Sequence, residues 1–237
     1  MAELKVALLG IMDYGEALNI QENLLKLRQQ GQITDVMLLL EHPPVLTIGR
    51  SGSPSNILLS QDMLKARGVA VYEVNRGGDV TYHGPGQLVG YPILDLNDHG
   101  RDVRSFFSRL EQTFINLLDE EYGITAERNP QYPGVWVGDE KITSIGCAVK
   151  RWVTMHGFAF NINTNLDHFK WINPCGITDK GVTSLERILG RQEDMEKVSE
   201  MVIHHFSKLF DLEPTIITKQ QLFDYIKEIL RRDWHEG

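Results

Sequence analysis

Apolar residues recur at helical spacing at Ala17, Ile20, Leu24 and Leu27, which predicts a helix over residues 14–30 that Gly31 ends. A short strand over residues 6–9 leads into it. Residues 35–41 and 45–49 read as strands on either side of His42-Pro43-Pro44, because paired prolines belong to turns and sheet edges. A short helix follows Ser60 and stops at Gly68, ahead of a strand over 69–74. Another strand spans 88–96. The strongest amphipathic stripe, Phe107, Leu110, Phe114, Leu117 and Leu118, marks a helix over 103–122 with Gly123 as its C-terminal cap. Residues 135–150 have the pattern of a hairpin turning at Gly138-Asp139, and 151–163 extend the same sheet. Helices over 193–210 and 219–231 close the chain. Strands with interspersed helices, joined by hairpins rather than regular βαβ repeats, predict an α+β fold with a mixed, largely antiparallel sheet and flanking helices. No repeat or linker divides the pattern, so residues 1–237 read as one domain.

Composition narrows the function. With 24 Lys+Arg against 32 Asp+Glu the net charge is −8, which argues against nucleic-acid binding by bulk electrostatics. The N-terminal stretch lacks a signal-peptide pattern and nothing approaches a membrane span, so a cytoplasmic protein with reduced thiols is expected. The eight histidines form no metal-ligand spacing, and neither a metal nor a cofactor is called for.

Chemistry concentrates in three places. The stretch NRGGDVTYHGPGQLVGYPI packs five glycines with Arg76, Tyr82, His83 and Gln87 between apolar strands. Such a loop could cradle a phosphate, but it has neither the P-loop nor the G-x-G-x-x-G spacing. In WINPCGITDK, Cys175 sits between Pro174 and Gly176 in a loop, where nucleophiles tend to sit. Cys147 lies in strand-like ITSIGCAVK, where a cysteine behaves as a small hydrophobe. The context favours Cys175 without deciding between them. A nucleophilic thiol needs a group that takes its proton, and Lys141, just past the Gly-Asp turn on an apolar strand, is a candidate for that role.

RGGDVTYHGPGQLVGYP closely resembles the signature of the octanoyltransferases of lipoate biosynthesis, the lipoate-protein ligase B type. EHPPVLTIGR, GVWVGDEKITSIG, RWVTMHGFAFNIN, INPCGI and GVTSL agree with it in order. The resemblance implies a fold similar to the biotin and lipoate protein ligases. It further implies transfer of octanoyl from acyl carrier protein to a lysine of lipoyl domains, those of the 2-oxoacid dehydrogenases and the glycine cleavage H protein. Cys175 matches the acyl-thioester cysteine, and Lys141 the lysine that lowers its pKa. Substrate contacts would come from Arg76, Gly77, Gly78, Asp79, Val80, Thr81, Tyr82 and His83, from Ser144, Ile145 and Gly146, and from Gly157, Phe158 and Ala159. Cys147 replaces a usual aliphatic residue, which makes it the rival nucleophile. An ATP-dependent lipoate or biotin ligase is the alternative within this fold, and a non-catalytic module binding acyl carrier or lipoyl domains is the alternative outside enzymes. An acidic carrier would have to meet a local cationic patch on this acidic chain, with Lys150, Arg151, Arg50 and Arg76 as candidates.

Overall fold

The computed structural model describes residues 2–173 and 180–233. Its elements run β1 (Ala2–Ile11), α1 (Tyr14–Gln29), β2 (Asp35–Glu41), β3 (Val45–Ile48), α2 (Gln61–Ala66), β4 (Ala70–Glu73), β5 (Val80–His83), β6 (Gln87–Ile93) and α3 (Val103–Tyr122). The second half contains β7 (Glu127–Arg128), β8 (Gly134–Val137), β9 (Glu140–Lys150), β10 (Val153–Asn161), β11 (Gly181–Val182), α4 (Leu185–Leu189), α5 (Met195–Phe210), β12 (Leu212–Thr218) and α6 (Lys219–Asp233).

A large sheet has the order β12-β1-β2-β6-β10-β9-β8-β7, with β11 added alongside β9, and a small sheet has the order β4-β3-β5. The ladders from β2 through β7 are antiparallel, whereas β1 pairs in parallel with both β12 and β2. The fold is therefore α+β, with two βαβ units among the described residues, β1-α1-β2 in the large sheet and β3-α2-β4 in the small one, that the hairpin reading did not anticipate. The large sheet is covered on both faces. Leu4, Val6, Met37, Phe158 and Phe160 meet Phe114 and Leu117 of α3 and Phe206 and Phe210 of α5. On the other face Ala7, Val36, Leu38 and Val89 meet Ile20 and Leu24 of α1 and Leu222 and Ile226 of α6. Burial of this kind contributes about 25 cal/mol per Å² of apolar surface, so the two helical layers hold the sheet in place.

Local signals agree with these boundaries. Asp13 caps α1 by accepting from the Gly15 N–H at 2.8 Å. Asp102 does the same for α3, and Gly123 ends it in a left-handed conformation with φ 64°. The buried stripe of α3 runs through Phe106 rather than Phe107, which is only half-buried.

One irregularity is built into the centre. Within the β6–β10 ladder, Pro92 falls opposite His156 by the register of Phe158 with Gly90. Pro92 has no N–H to donate, and its carbonyl is taken by the Thr154 hydroxyl at 2.7 Å. His156 turns to a left-handed φ of 55°, and its N–H donates instead to the Gln21 side chain of α1 at 2.8 Å. Gly157 follows because a Cβ there would lie 2.1 Å from the Gly90 carbonyl oxygen.

Candidate active site

A cavity of about 800 Å³ opens between the small sheet and the β9–β10 pair. Segments 76–83, 144–146 and 157–159 meet at its wall. The loop of Arg76, Gly77 and Gly78 is clamped from both sides. The Gly49 and Arg50 N–H groups donate to the Asp79 and Arg76 carbonyls, and the Gly77 N–H donates to the Cys147 carbonyl at 3.0 Å. A Cβ on Gly146 would come within 3.0 Å of the Gly77 oxygen, so the glycine lets the loop lie flat across β9. The glycines thus bring two backbones together. This loop lines the cavity.

Lys141 enters by way of a bulge. Trp136 pairs with Lys141 and Val135 with Thr143, which leaves Ile142 as an extra residue in β9. The alternation shifts by one, and Lys141 lines the same cavity as Ser144 and Gly146. Its Nζ lies 4.9 Å from the centre of the Trp136 ring. The indole is fixed in turn by its N–H, which donates to the Tyr132 carbonyl at 3.0 Å.

A polar cluster stands at the other side of the cavity. The His42 Nδ1–H donates to the Met12 carbonyl at 2.7 Å, so Nε2 accepts from the Tyr91 hydroxyl at 2.8 Å. The Gln87 amide donates to Asn161 Oδ1 and the Tyr82 carbonyl, so its Oε1 accepts from His83 Nδ1–H at 2.8 Å. Asn161 then donates to the Thr183 carbonyl, and the Thr183 N–H donates to the Lys141 carbonyl. His83 and the backbone of Lys141 are therefore joined by one hydrogen-bonded chain. Burial lowers His42 to about 4, and burial with the charges of His42 and Arg76 lowers His83 to about 3. Burial and Arg76 lower His156 to about 4. These imidazoles are neutral at ordinary pH.

The residues expected from the sequence fall into three groups. Lys141 and all of the three segments except Tyr82 line the cavity. The Tyr82 ring is buried among His168, Phe169 and Trp171, and its hydroxyl lies 2.7 Å from His168 Nδ1, so it braces the 3-10 turn Leu166–Trp171. Cys175 lies outside the described residues. Described residues on both sides of it line the cavity, Ile172 and Asn173 before it and Lys180, Gly181 and Val182 after it. The entry is tied by the Asn173 N–H to the Asn56 carbonyl, the exit by β11 beside Lys141.

Cys147 belongs to the apolar core under α3 and α5, with Sγ 3.6 Å from the Gly157 carbonyl oxygen, and burial pushes its thiol up. It does not line the cavity, and a thiol so buried is a poor nucleophile. Arg76 is not a docking charge. Its guanidinium is buried and donates to the Thr47 carbonyl and hydroxyl and to the Gly77 carbonyl. Lys150 and Arg151 stand at the far tip of the β9–β10 hairpin, away from the cavity. Sequence reasoning missed Tyr14, Tyr91, Phe107, Trp136 and His156 as lining residues. Of these, only the His-Gly pair at 156–157 carries a local signal, since a glycine inside a strand marks a close approach.

The model of the lipoyl protein ligase A/B catalytic domain matches residues 13–207. An octanoyltransferase of Desulforamulus reducens is 60% identical over 94% of this chain and 98% of its own length. One of Caldicellulosiruptor saccharolyticus is 55% identical over 95% and 96%. The chain belongs to the octanoyltransferase family. As such it is an acyltransferase of the ligase A/B superfamily, and the fold agrees. A crystal structure of lipoate-protein ligase A bound with ATP superposes with a TM-score of 0.79 at 17% identity, covering 97% of this chain and 94% of that one. A lipoate protein ligase of Thermoplasma acidophilum, described with its E2 lipoyl domain, gives 0.72 at 17% identity over 97% and 92%. The octanoyltransferase chain has no helix, among the described residues, long and apolar enough to cross a membrane.

Proposed function

We propose that the chain moves an octanoyl group from acyl carrier protein to the acceptor lysine of lipoyl domains through a thioester on Cys175. Two observations support it: identity of 60% to an octanoyltransferase, and the residues on either side of Cys175, Ile172 and Asn173 before it and Lys180 to Val182 after it, which line the same cavity as Lys141. Neutral Lys141 takes the proton of Cys175, and the thiolate attacks the donor thioester carbonyl. The tetrahedral adduct collapses with loss of the phosphopantetheine thiolate, to which Lys141 returns the proton. In the second half the acceptor amine attacks the enzyme thioester, Lys141 removes the amine proton, and the Cys175 thiol is released. Exchange of thioesters is nearly isoenergetic and thioester to amide is downhill, so the reaction needs no nucleotide.

The lipoyl-domain acceptor is supported by the fold shared with the Thermoplasma ligase. Incubation with octanoyl-acyl carrier protein without ATP is expected to add one octanoyl mass at Cys175. Cys175→Ser should lose the adduct and turnover, and Cys147→Ser should keep both. An adduct mapped to Cys147, or one that requires ATP, would refute the reading.

A further inference from the structure

His156 carries three unusual features at once. Its side chain is 1% exposed, its φ is left-handed, and neither ring nitrogen has a hydrogen-bond partner among the described residues. Gln21, which holds its backbone N–H, is also fully buried, and the Gln21 Nε2 has no partner either. Buried polar atoms without partners cost free energy, and natural folds retain them mostly where something else uses them. Here His156 stands at the limit of a cavity, and Gln21 holds its backbone.

The register fixes where that limit lies. The cavity follows the β9–β10 pair from Glu140 and Lys141 up to Gly146 and Gly157, and His156, opposite Cys147, is the last lining residue of β10 on that side. The Lys141 side chain leans along the strand in this direction. A Cβ on Gly134, which pairs with Ser144, would touch its Cδ and Cε at 3.4 Å. From the Ser144 step to the Cys147 step is three residues, roughly 10 Å at strand rise. Seven carbon–carbon bonds of about 1.5 Å in a zigzag span roughly 9 Å. An extended eight-carbon acyl chain laid along the pair from the Ser144 step therefore reaches His156.

We infer that the His156–Gln21 pair closes the far end of the acyl channel and sets the length of chain the site accepts. This rests on the acyl-transfer reading above. A chain longer by two carbons presses its methyl terminus onto the imidazole, which Gln21 holds through the His156 N–H, and Tyr91, whose ring meets His156 edge-on at 6.4 Å, leaves no slack on that side. The left-handed backbone keeps the imidazole across the channel. His156 can neither turn aside without losing the Gln21 bond nor regain a ladder bond from Pro92.

Rates of enzyme acylation by saturated acyl thioesters of six to twelve carbons, as kcat/KM, test this in the wild type, His156→Asn and Gln21→Met. Asparagine tolerates the left-handed backbone and is shorter. The ratio of ten- to eight-carbon rates is read within each variant, so a partly unfolded sample does not distort it. The wild type is expected to fall off beyond eight carbons. His156→Asn should raise the ratio about tenfold, the discrimination an apolar pocket gives per methylene. Gln21→Met should raise it less. Ratios within twofold of wild type in both variants, or a wild type indifferent to length, overturn the inference and leave the transferase reading intact. Failure of every donor to acylate the wild type withdraws both.

Discussion

Ile142, the extra residue of β9, decides where Lys141 points. Without it Lys141 would share a face with Thr143, which is fully buried, rather than the cavity. Under the proposed mechanism the ammonium and the free amine must both be reached during one cycle. Lys141→Arg is therefore expected to lose activity nearly as completely as Lys141→Ala, although it keeps the charge and a cation over Trp136, because a guanidinium does not deprotonate. Comparing the two in a turnover assay checks this, and an arginine variant with most of its activity would reduce Lys141 to an electrostatic anchor. The sequence showed this lysine through its motif and not through the bulge, which no residue type announces. It also showed the loop glycines but not their use, since glycine permits both a phosphate cradle and the backbone contact between Gly77 and Gly146.

The elements that carry the site were legible where periodicity is strong. The helix α3 and the strand β2 have the expected bounds, and the Gly138-Asp139 turn sits between β8 and β9. Four strands were missed, the two-residue β7 and β11 and the longer β5 and β12, and the longer two for different reasons. The glycines on either side of β5 make Val80–His83 look like loop, although Val-Thr-Tyr-His suits a strand and pairs with β3. The strand β12 contains Pro214 and shows no clean alternation, which an edge strand tolerates. Tyr82 belongs to this scale. It ties β5 to the Leu166–Trp171 turn, which precedes Cys175 in the chain. Tyr82→Phe is expected to cost about 1 kcal/mol of stability, the usual worth of one hydrogen bond. It should slow acylation several-fold while the affinity for free octanoate is kept. Equal losses in both would make Tyr82 a residue of the cavity wall instead.

At the scale of the molecule, the buried histidines make stability depend on pH. Burial holds His42, His83 and His156 at about 4, 3 and 4, well below the unfolded value of about 6.5. Below that value the unfolded chain binds more protons than the folded one. The stability is present in full above about pH 6.5 and falls as pH drops toward 4, by up to about 1.4 kcal/mol per pH unit for each histidine. Urea unfolding between pH 7.5 and 5 measures it above the range where most carboxylates titrate. A flat profile there would contradict the neutral cluster.

The charge distribution bears on the partner. Under the proposed function the donor is an acidic carrier, for which a chain of net −8 has no long-range attraction, so steering must be local. The tip of the β9–β10 hairpin, with Lys150 and Arg151, stands nine residues from Lys141 along β9, roughly 30 Å at strand rise. That is several Debye lengths away. Lys170 and Arg187 line the cavity itself and are largely exposed, each in a surface pair, with Asp167 and Glu140 respectively. Exposed pairs of this kind are weak, and a carboxylate of a docking carrier can compete for either cation. Lys170→Glu with Arg187→Glu should therefore slow acylation by octanoyl-acyl carrier protein and flatten its salt dependence, because steering acts on the on-rate. Acylation by a small octanoyl thioester should change little. Charge reversal at Lys150 and Arg151 should leave both donors unaffected. A larger effect at the hairpin tip than at the mouth would mean that the carrier approaches along β9–β10, and the mouth cations would then serve their own carboxylates alone.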